Sequence, residues 1–188
     1  MQTNTRNKIL ETARVLFEQK GYNGVSIKTI ADAVGISTGN LTYYFKQKED
    51  LAEALVAQQH TMYRKLDVPD SLSKLHDYFL DIIEVQKRNA YYYKHYTQFS
   101  QISPKIKQYQ RDVYEDIRAA LNDALVLMAE DDIVDFDAIP EQRERSIDTI
   151  MILCVGAQFD ERVDRLACMW NVVFPLLTER GKLLYCNK

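Results

Sequence analysis

A short run of small polar residues between positions 38 and 42 has side chains suited to contacts with nucleic-acid bases. The amide of Asn40 can form two hydrogen bonds with adenine, and Thr38 and Thr42 can form a hydrogen bond or contact a thymine methyl group. Gly39 has no side chain, so it would let a helix backbone approach the bases closely. These residue types predict a base-contacting surface, provided that one helix presents them together.

Phenol, hydroxyl and ammonium groups around this run suit contacts with phosphates. Tyr43, Tyr44 and Lys48 follow it, and Lys48 lies where a fourth helix would begin, at a helix end whose free amides also attract anions. Three residues at the front of an earlier helix would contact the neighbouring phosphates: Ser26, Lys28 and Thr29. The predicted DNA-binding set therefore combines base contacts from the run with phosphate contacts on either side of it.

Two short helices separated by a glycine turn would position these side chains. Ser26 can cap the first helix, Gly35 can adopt the left-handed conformation that ends it, and Ser37 can cap the second. The inward face of the second helix is only Leu41 and Phe45, which leaves its other side exposed. This geometry places a second helix in the major groove of DNA. The periodicity alone leaves open a generic three-helix packing unit.

The remainder of the chain also has helical periodicity. The sequence contains six Gly and four Pro, and we find no alternating pattern that predicts a strand. Pro69 marks the best break between domains, and the acidic stretch 130–140 is predicted to be a loop. The other predictions are a first helix with Ile9, Leu10, Ala13, Leu16 and Phe17 inward, a fourth with Leu51, Leu55, Met62 and Leu66 on one face, and helices over about 72–83, 92–99, 104–128, 141–159 and 162–185, the last kinked at Pro175.

The charge is unevenly divided along the chain. Residues 1–65 hold nine Lys or Arg against six Asp or Glu, which gives +3, whereas residues 66–188 hold fifteen against twenty-one, which gives −6. A DNA-binding surface needs local positive charge rather than a basic average. The distribution therefore permits DNA binding through the N-terminal part alone.

The N-terminal sequence resembles the TetR family of transcriptional regulators over roughly the first third of the chain. Residues 29–51, TIADAVGISTGNLTYYFKQKEDL, resemble the family signature, and residues 16–22, LFEQKGY, look like the end of its first helix. One departure is Thr42, where members often carry a tyrosine that contacts phosphate. The resemblance implies an all-α regulator, and specifically a repressor, that binds a palindromic double-stranded operator as a homodimer.

The resemblance also implies how the chain is divided. We expect a helix-turn-helix domain at 1–48, a connecting helix at 49–68, and a helical effector-binding and dimerisation domain at 69–188. The last two helices would pair with those of a second subunit as a four-helix bundle. Their apolar stripes are consistent with this pairing, although they could instead form intramolecular core: Ile147, Ile150, Met151, Cys154 and Ala157, then Val163, Leu166, Ala167, Trp170, Val173, Phe174 and Leu177.

Aromatic residues of the C-terminal domain are candidates for a pocket that binds an unknown small-molecule effector. Aromatic rings with polar tips can line cavities of this kind, but they also pack in ordinary cores, and the sequence leaves both interpretations open. The candidate ligand-binding residues are Tyr78, Phe79, Tyr92, Tyr96, Phe99, Tyr109, Val113 and Tyr114.

The acidic run Asp131-Asp132-Ile133-Val134-Asp135 offers a competing interpretation as an enzyme. It matches the Asp-Asp-x-x-Asp pattern with which helical isoprenoid synthases bind magnesium and diphosphate. Such sites need a second acidic cluster and a larger bundle, which the sequence lacks, so a solvated loop is the better interpretation. A calcium loop is weaker still, because no glycine stands at the turn position. The three histidines, His60, His76 and His95, have no paired spacing. We therefore expect no enzyme, no metal and no cofactor.

The remaining expectations concern compartment and partners. No apolar run approaches the roughly 20 residues of a membrane helix, and the N-terminus lacks the apolar core of a secretory signal, so we predict a cytoplasmic protein without a membrane partner. Cys154, Cys168 and Cys186 are too scattered for a disulfide framework and are predicted to be reduced thiols. A helical adaptor that binds only protein would explain the acidic C-terminal part but not the run at 38–44.

Overall fold

Eleven α-helices and one 3₁₀ turn make up the regular structure of the described chain in the computed structural model, which confirms the all-α prediction. The description covers residues 2–63, 67–136, 139, 141–156 and 162–186, without the side chains of 2, 3, 62, 63, 155 and 156. The elements are α1 Gln2–Lys20, α2 Ile27–Val34, α3 Thr38–Tyr44, α4 Lys48–Tyr63, α5 Leu72–Arg88, α6 Ala90–Tyr93, α7 Tyr96–Phe99, α8 Pro104–Glu130, α9 Gln142–Gly156, α10 Arg165–Val173, the 3₁₀ turn Phe174–Leu176, and α11 Glu179–Cys186. In this described part, no helix is both long and apolar enough to cross a membrane.

The chain folds into two compact units. The first, which we call the head unit, comprises Met1–Thr61 and Asn89–Arg111, and the second, the body unit, comprises Met62–Arg88 and Asp112–Lys188. Helix α8 therefore contributes its start to the head unit and the rest to the body unit. The domain that we expected at 69–188 is thus divided between the two units.

The core of the head unit is built from the inward faces that periodicity predicts. Helices α1 to α4 bury these side chains: Ile9, Leu10, Ala13, Phe17, Ile30, Ala31, Val34, Leu41, Phe45, Leu51, Ala52, Leu55 and Val56. The predicted core positions Met62 and Leu66 on α4 lie outside the described side chains. Removal of this apolar surface from water, at about 25 cal/mol per Å², is the main stabilisation of the unit.

The segment 89–111 belongs to the head unit because its aromatic rings pack against α1 and the turn that follows it. The ring of Tyr91 lies 6.4 Å from that of Phe17, and the ring of Phe99 lies 5.6 Å from that of Tyr22. Tyr92 is packed edge-on to Phe99 at 5.2 Å. Helices of four residues such as α6 and α7 have little stability alone, so this aromatic packing is what holds them.

The body unit is organised around Trp170 on α10. Its ring meets that of Phe79 on α5 at 6.0 Å, nearly perpendicular, and its indole N–H donates to His76 Nδ1 at 3.1 Å. Tyr185 of α11 packs on the same indole at 4.8 Å. The Trp170 side chain of α10 therefore contacts α5 and α11, and its single N–H is hydrogen-bonded.

The predicted single helix over 162–185 with a kink at Pro175 is wrong in one respect, because the α-helix ends at Val173 and a second helix starts at Glu179. Proline has no N–H to donate, and the helix passes into the 3₁₀ turn and then into extended backbone at Leu177, with φ −68° and ψ 129°. Thr178 then caps α11, since its hydroxyl oxygen accepts a bond from the N–H of Gly181 at 3.0 Å. The predicted ends of α9 beyond Gly156, including Ala157, lie outside the described residues.

The acidic stretch forms a turn that the start of α11 holds in place. Thr178 donates its hydroxyl to the carbonyl of Asp132 at 2.7 Å and its N–H to that of Ile133 at 3.1 Å. Val134 pairs with Leu177 as an isolated bridge, and the described residues contain no strand. Residues 137, 138 and 140 of the predicted loop lie outside the described chain. The loop prediction is confirmed for 131–136, with a defined packing role.

A candidate nucleic-acid interface on the head unit

Helix α2 begins and ends as its sequence predicts. The Ser26 hydroxyl accepts a bond from the N–H of Thr29 at 3.0 Å, and the two hydroxyls lie 2.8 Å apart. Gly35 adopts the left-handed conformation at φ 79° and its N–H donates to the carbonyl of Ala31 at 3.0 Å. Lys28 is exposed on the first turn. Ser26 and Thr29 are therefore mutually bonded, and Lys28 presents the positive charge at this end of α2.

Helix α3 buries one side and exposes the other. Ser37 caps it by accepting a bond from the N–H of Asn40 at 3.1 Å, and Leu41 and Phe45 are buried. Thr38, Gly39 and Asn40 are exposed. The structure thus brings the predicted base-contacting residues together on one solvent-facing side of a helix only seven residues long.

The last turn of α3 carries the phenols. Tyr43 is 73% exposed, and its ring meets that of the half-buried Tyr44 edge-on at 5.3 Å. Thr42 is half-buried and donates its hydroxyl to the carbonyl of Gly39 at 3.1 Å. The hydroxyl hydrogen of Thr42 is therefore engaged by its own helix, which leaves the hydroxyl oxygen and the methyl group for contacts outside it.

The ammonium group of Lys48, which we expected to contact phosphate, forms hydrogen bonds within the head unit. Its Nζ donates to the carbonyls of Tyr22 at 3.0 Å and Val25 at 3.1 Å, and lies 4.0 Å from the centroid of the Tyr22 ring. The positive end of α4 also carries its own carboxylates, Glu49 and Asp50. In this structure, Lys48 fastens the start of α4 to the turn between α1 and α2, and its phosphate contact stays a prediction.

Sequence reasoning missed two basic residues at the start of α1. Lys8 donates its Nζ to the carbonyl of Val34 at 3.0 Å, which satisfies a backbone group at the end of α2. The guanidinium carbon of Arg6 lies 5.0 Å from the centroid of the Phe45 ring. Neither contact has a local sequence signal, because each joins residues 26 or more positions apart.

The aromatic effector candidates do not form one group within a unit. Tyr92, Tyr96, Phe99 and Tyr109 belong to the head unit, where Phe99 is fully buried and the Tyr92 and Tyr96 rings meet at 5.5 Å. The others belong to the body unit: Tyr78, Phe79, Val113 and Tyr114. The core-packing interpretation fits Phe79, Tyr92 and Phe99, which are all buried.

Tyr78 lies at a surface groove of the body unit, with a volume of about 260 Å³. Burial, and secondarily Cys154 and Asp116, raises the pKa of Tyr78, so its phenol is neutral at physiological pH. The remaining lining combines three carboxylates with one lysine and two apolar residues: Asp67, Val68, Pro69, Lys74, Asp77 and Asp81. Of the eight candidate ligand-binding residues, Tyr78 is the one that lines this groove.

The acidic run and the histidines show no metal-binding arrangement in the described structure. Asp131 and Asp132 are exposed on the turn after α8. Among the residues that are described, no group of three or more His, Cys, Asp or Glu side chains could hold a metal ion. His76 is occupied by the indole of Trp170. The acidic run has instead the packing role against α11 described above.

The chain is similar to known proteins in sequence mainly over its N-terminal part, and in fold over nearly its whole length. Residues 9–55 match the bacterial regulatory proteins of the tetR family. A probable HTH-type transcriptional regulator of Bacillus subtilis (strain 168), YttP, is 40% identical over 65 residues, which are 35% of this chain and 31% of that protein. The biofilm operon icaADBC HTH-type negative transcriptional regulator IcaR of Staphylococcus epidermidis is 27% identical over 127 residues, covering 64% of this chain and 67% of IcaR.

The match to solved structures extends through the body unit. The crystal structure of a TetR-family transcriptional regulator from Marinobacter aquaeolei VT8 superposes with a TM-score of 0.86 at 18% identity, covering 97% of this chain and 96% of that one. Because the identity is only 18%, this comparison shows a likeness of fold alone. The sequence match with YttP spans less than a third of the length of that relative. The match of residues 9–55 to a family of regulatory proteins favours a regulator over an isoprenoid synthase. Over residues 9–55 the chain is therefore similar to the tetR family of bacterial regulatory proteins, and over nearly its whole length its fold is like that of a TetR-family regulator.

Proposed function

We propose that the protein is a sequence-specific DNA-binding transcriptional regulator whose α3 lies in the major groove of its operator. The observation that carries this proposal is the two-sided character of α3, with Leu41 and Phe45 buried and Thr38, Gly39 and Asn40 exposed. A helix can make base contacts only if its outer side carries hydrogen-bonding groups and its inner side is fixed to a core. Helix α3 meets both conditions.

The proposed contacts divide into bases and phosphates. Asn40 pairs with adenine, Thr38 and Thr42 contact thymine methyl groups or base edges, and Gly39 permits the close approach. Phosphate contacts come from both ends of the helix pair and fix its position on the duplex without selecting a sequence. The proposed phosphate-binding residues are Ser26, Lys28, Thr29, Tyr43, Tyr44 and Lys48.

The protein binds its operator as a homodimer in this proposal. Two recognition helices that contact half-sites one helical turn apart require two heads, and two-fold symmetry is the common way to supply them. The body unit exposes large apolar side chains on its last helices, with Ile152 of α9 69% exposed and Leu183 of α11 67% exposed. Phe174 and Leu184 are also exposed there. Exposed large apolar side chains on these helices are consistent with a subunit interface.

The proposed direction of control is repression relieved by a small-molecule effector. The relative IcaR is a negative transcriptional regulator, which supports a repressor role for this chain. The groove at Tyr78 is the candidate effector site on the body unit, because it combines a neutral phenol with several charged groups. An effector releases DNA only if it binds more tightly to the released state than to the DNA-bound state.

The experiment that tests DNA binding is a selection of random duplexes by the purified protein, followed by affinity measurements against salt concentration. A two-fold symmetric consensus with a steep salt dependence supports a dimeric DNA-binding regulator. If no duplex is enriched from protein that has been stripped of bound small molecules by unfolding and refolding, the proposed function is wrong.

A separate experiment tests the dimer. Leu183→Glu places a charge in the proposed interface and is expected to convert a dimer into a monomer of 21.9 kDa, measured by light scattering. Leu80→Glu is the matched control, since Leu80 is an exposed leucine of α5 in the same unit. An unchanged dimer mass for Leu183→Glu, or a monomeric wild-type protein, contradicts the proposed interface.

A further inference from the structure

Arg6, near the start of α1, lies beside the end of the proposed recognition helix. Its guanidinium carbon is 5.0 Å from the centroid of the Phe45 ring, and Phe45 is the residue that ends α3. Phe45 is buried, whereas Arg6 is exposed. The arginine therefore covers the outer face of this ring and places a positive charge where α3 meets solvent.

The position of Arg6 is fixed by the packing of the residues that follow it. Lys8 is bonded to the carbonyl of Val34 at 3.0 Å, and Ile9 is fully buried. The first turns of α1 are thus fastened to the end of α2 and to the core of the head unit. A guanidinium that lies over a ring and is carried by a docked helix loses little conformational freedom when it binds a ligand.

The donors of Arg6 remain available. The guanidinium of Arg6 lies over the ring, and among the described residues no hydrogen bond engages its five N–H donors. Arg14, Arg118 and Arg145 each pair with a carboxylate. Among the described residues, no carboxylate pairs with Arg6. Its charge is therefore not neutralised within the head unit.

The neighbouring residues indicate which anion would bind. Tyr43, on the last turn of α3, is 73% exposed, and Lys46, directly after Phe45, is also exposed. With α3 in the major groove, the residues that flank its end face the sugar-phosphate backbone that borders the groove. Arginine binds a phosphate through two parallel N–H bonds, which suits this position.

We infer that Arg6 binds a backbone phosphate of the operator beside the C-terminal end of α3. This inference rests on the proposed function and adds a contact from α1, an element outside the helix-turn-helix. Because the contact is to phosphate, Arg6 contributes to affinity for every duplex and not to the choice of base.

The test uses the full-length dimer and two duplexes, the selected operator and a scrambled sequence of the same length, with dissociation constants measured over a series of salt concentrations. Arg6→Ala is expected to weaken both complexes about tenfold and to lower the salt slope by about one unit per subunit. Arg6→Lys keeps the charge but loses the planar guanidinium. Its affinity for DNA is expected to lie between those of wild type and Arg6→Ala. Lys20→Ala is the matched control, because Lys20 is an exposed cation about 21 Å along the same helix.

The outcomes separate this inference from the function on which it rests. If wild-type protein binds neither duplex, the proposed function fails and this inference with it. If wild-type protein binds and Arg6→Ala has the wild-type affinity and salt slope, only the inference is overturned. A loss of affinity with an unchanged salt slope and a lower thermal midpoint also overturns it, because Arg6 would then act only by packing on Phe45.

Discussion

The carboxylate of Glu18 on α1 accepts a hydrogen bond from the backbone N–H of Tyr91 on α6 at 2.8 Å, across 73 residues of sequence. The cap residue of α6, Asn89, does not supply a side-chain capping bond, so α1 provides the acceptor for this helix end. The phenol of the same Tyr91 accepts a bond from the buried Gln59 of α4 at 3.3 Å. The backbone N–H and the phenol of Tyr91 are therefore each hydrogen-bonded to a helix of the head unit.

Replacing Glu18 should loosen α6. Glu18→Ala is expected to destabilise the head unit by about 1 kcal/mol, because it leaves the N–H of Tyr91 without its acceptor. Hydrogen exchange at the amides of 90–93 measures the effect directly, and Glu18→Gln should retain most of the protection. Glu11→Ala is the control, since Glu11 is on the same helix and makes an exposed pair with Arg14. Equal exchange in the two alanine variants contradicts the capping role.

Lys48 has a structural role that can be measured separately from its proposed phosphate contact. Lys48→Ala removes the donors from the carbonyls of Tyr22 and Val25 and is expected to cost about 1 to 3 kcal/mol of head-unit stability. If Lys48 also binds phosphate, the variant weakens binding to all sequences and lowers the salt slope by about one unit per subunit. Hydrogen exchange measures the first effect and DNA titrations the second. A lower stability with an unchanged salt slope would assign Lys48 to packing alone.

The helix-turn-helix could be predicted from sequence because each of its signals is local. Ser26, Gly35 and Ser37 act within four residues of their own positions, and the inward faces of α1 and α2 follow from a period of 3.6. Side chains that project outward from α3 then follow by exclusion. The exposed side of α3 that carries the proposed base-contacting residues could therefore be predicted without any tertiary information.

The remaining features depend on contacts between distant residues. The sequence suggests a phosphate contact for Lys48, but it carries no signal that the ammonium group also donates to the carbonyls of Tyr22 and Val25. The aromatic residues of 89–111 have the composition of a pocket, and only their packing on Phe17 and Tyr22 shows that they belong to the head unit. Pro175 signals an interruption, but the pairing of Leu177 with Val134 that follows it has no local sequence signal.

Gly181 on α11 is required by the close approach of the turn after α8. A β-carbon at this position would lie 2.1 Å from the carbonyl oxygen of Ile133. Gly181→Ala is expected to destabilise the body unit by about 2 kcal/mol, because that oxygen is fixed in the backbone. Urea unfolding followed by the fluorescence of Trp170, the single tryptophan, measures the loss. Lys182→Ala, which removes an exposed pair with Glu179, is the control and should change stability by less than about 0.5 kcal/mol.

Cys154 should make the body unit less stable in alkaline solution. Burial raises the pKa of its thiol from 9.0 to about 12, with Arg165 opposing the shift. Above pH 9 the unfolded chain releases this proton while the folded chain retains it, so stability falls as pH rises from about 9 towards 12. Urea unfolding at pH 7.5 and pH 10 should show a smaller difference for Cys154→Ala than for wild type. The exposed Cys186 is the control, and Cys186→Ala should behave as wild type. The same pH dependence in all three proteins would exclude Cys154 as its source.

Gly39 allows DNA contact and fold stability to be separated at one position. A β-carbon there would meet only Ser37 Oγ, at 4.0 Å, so the head unit has room for it. Gly39→Ala is expected to leave stability unchanged or to raise it by about 0.5 kcal/mol, because alanine favours the helix. The same methyl group would lie on the proposed base-contacting side of α3 and should weaken operator binding by about tenfold or more, since it would prevent close approach to the bases. Asn40→Ala should cost about 1 to 3 kcal/mol and relax the preference at one base pair. If Gly39→Ala and Asn40→Ala both bound the selected operator as wild type does, α3 would not be the helix that contacts the bases.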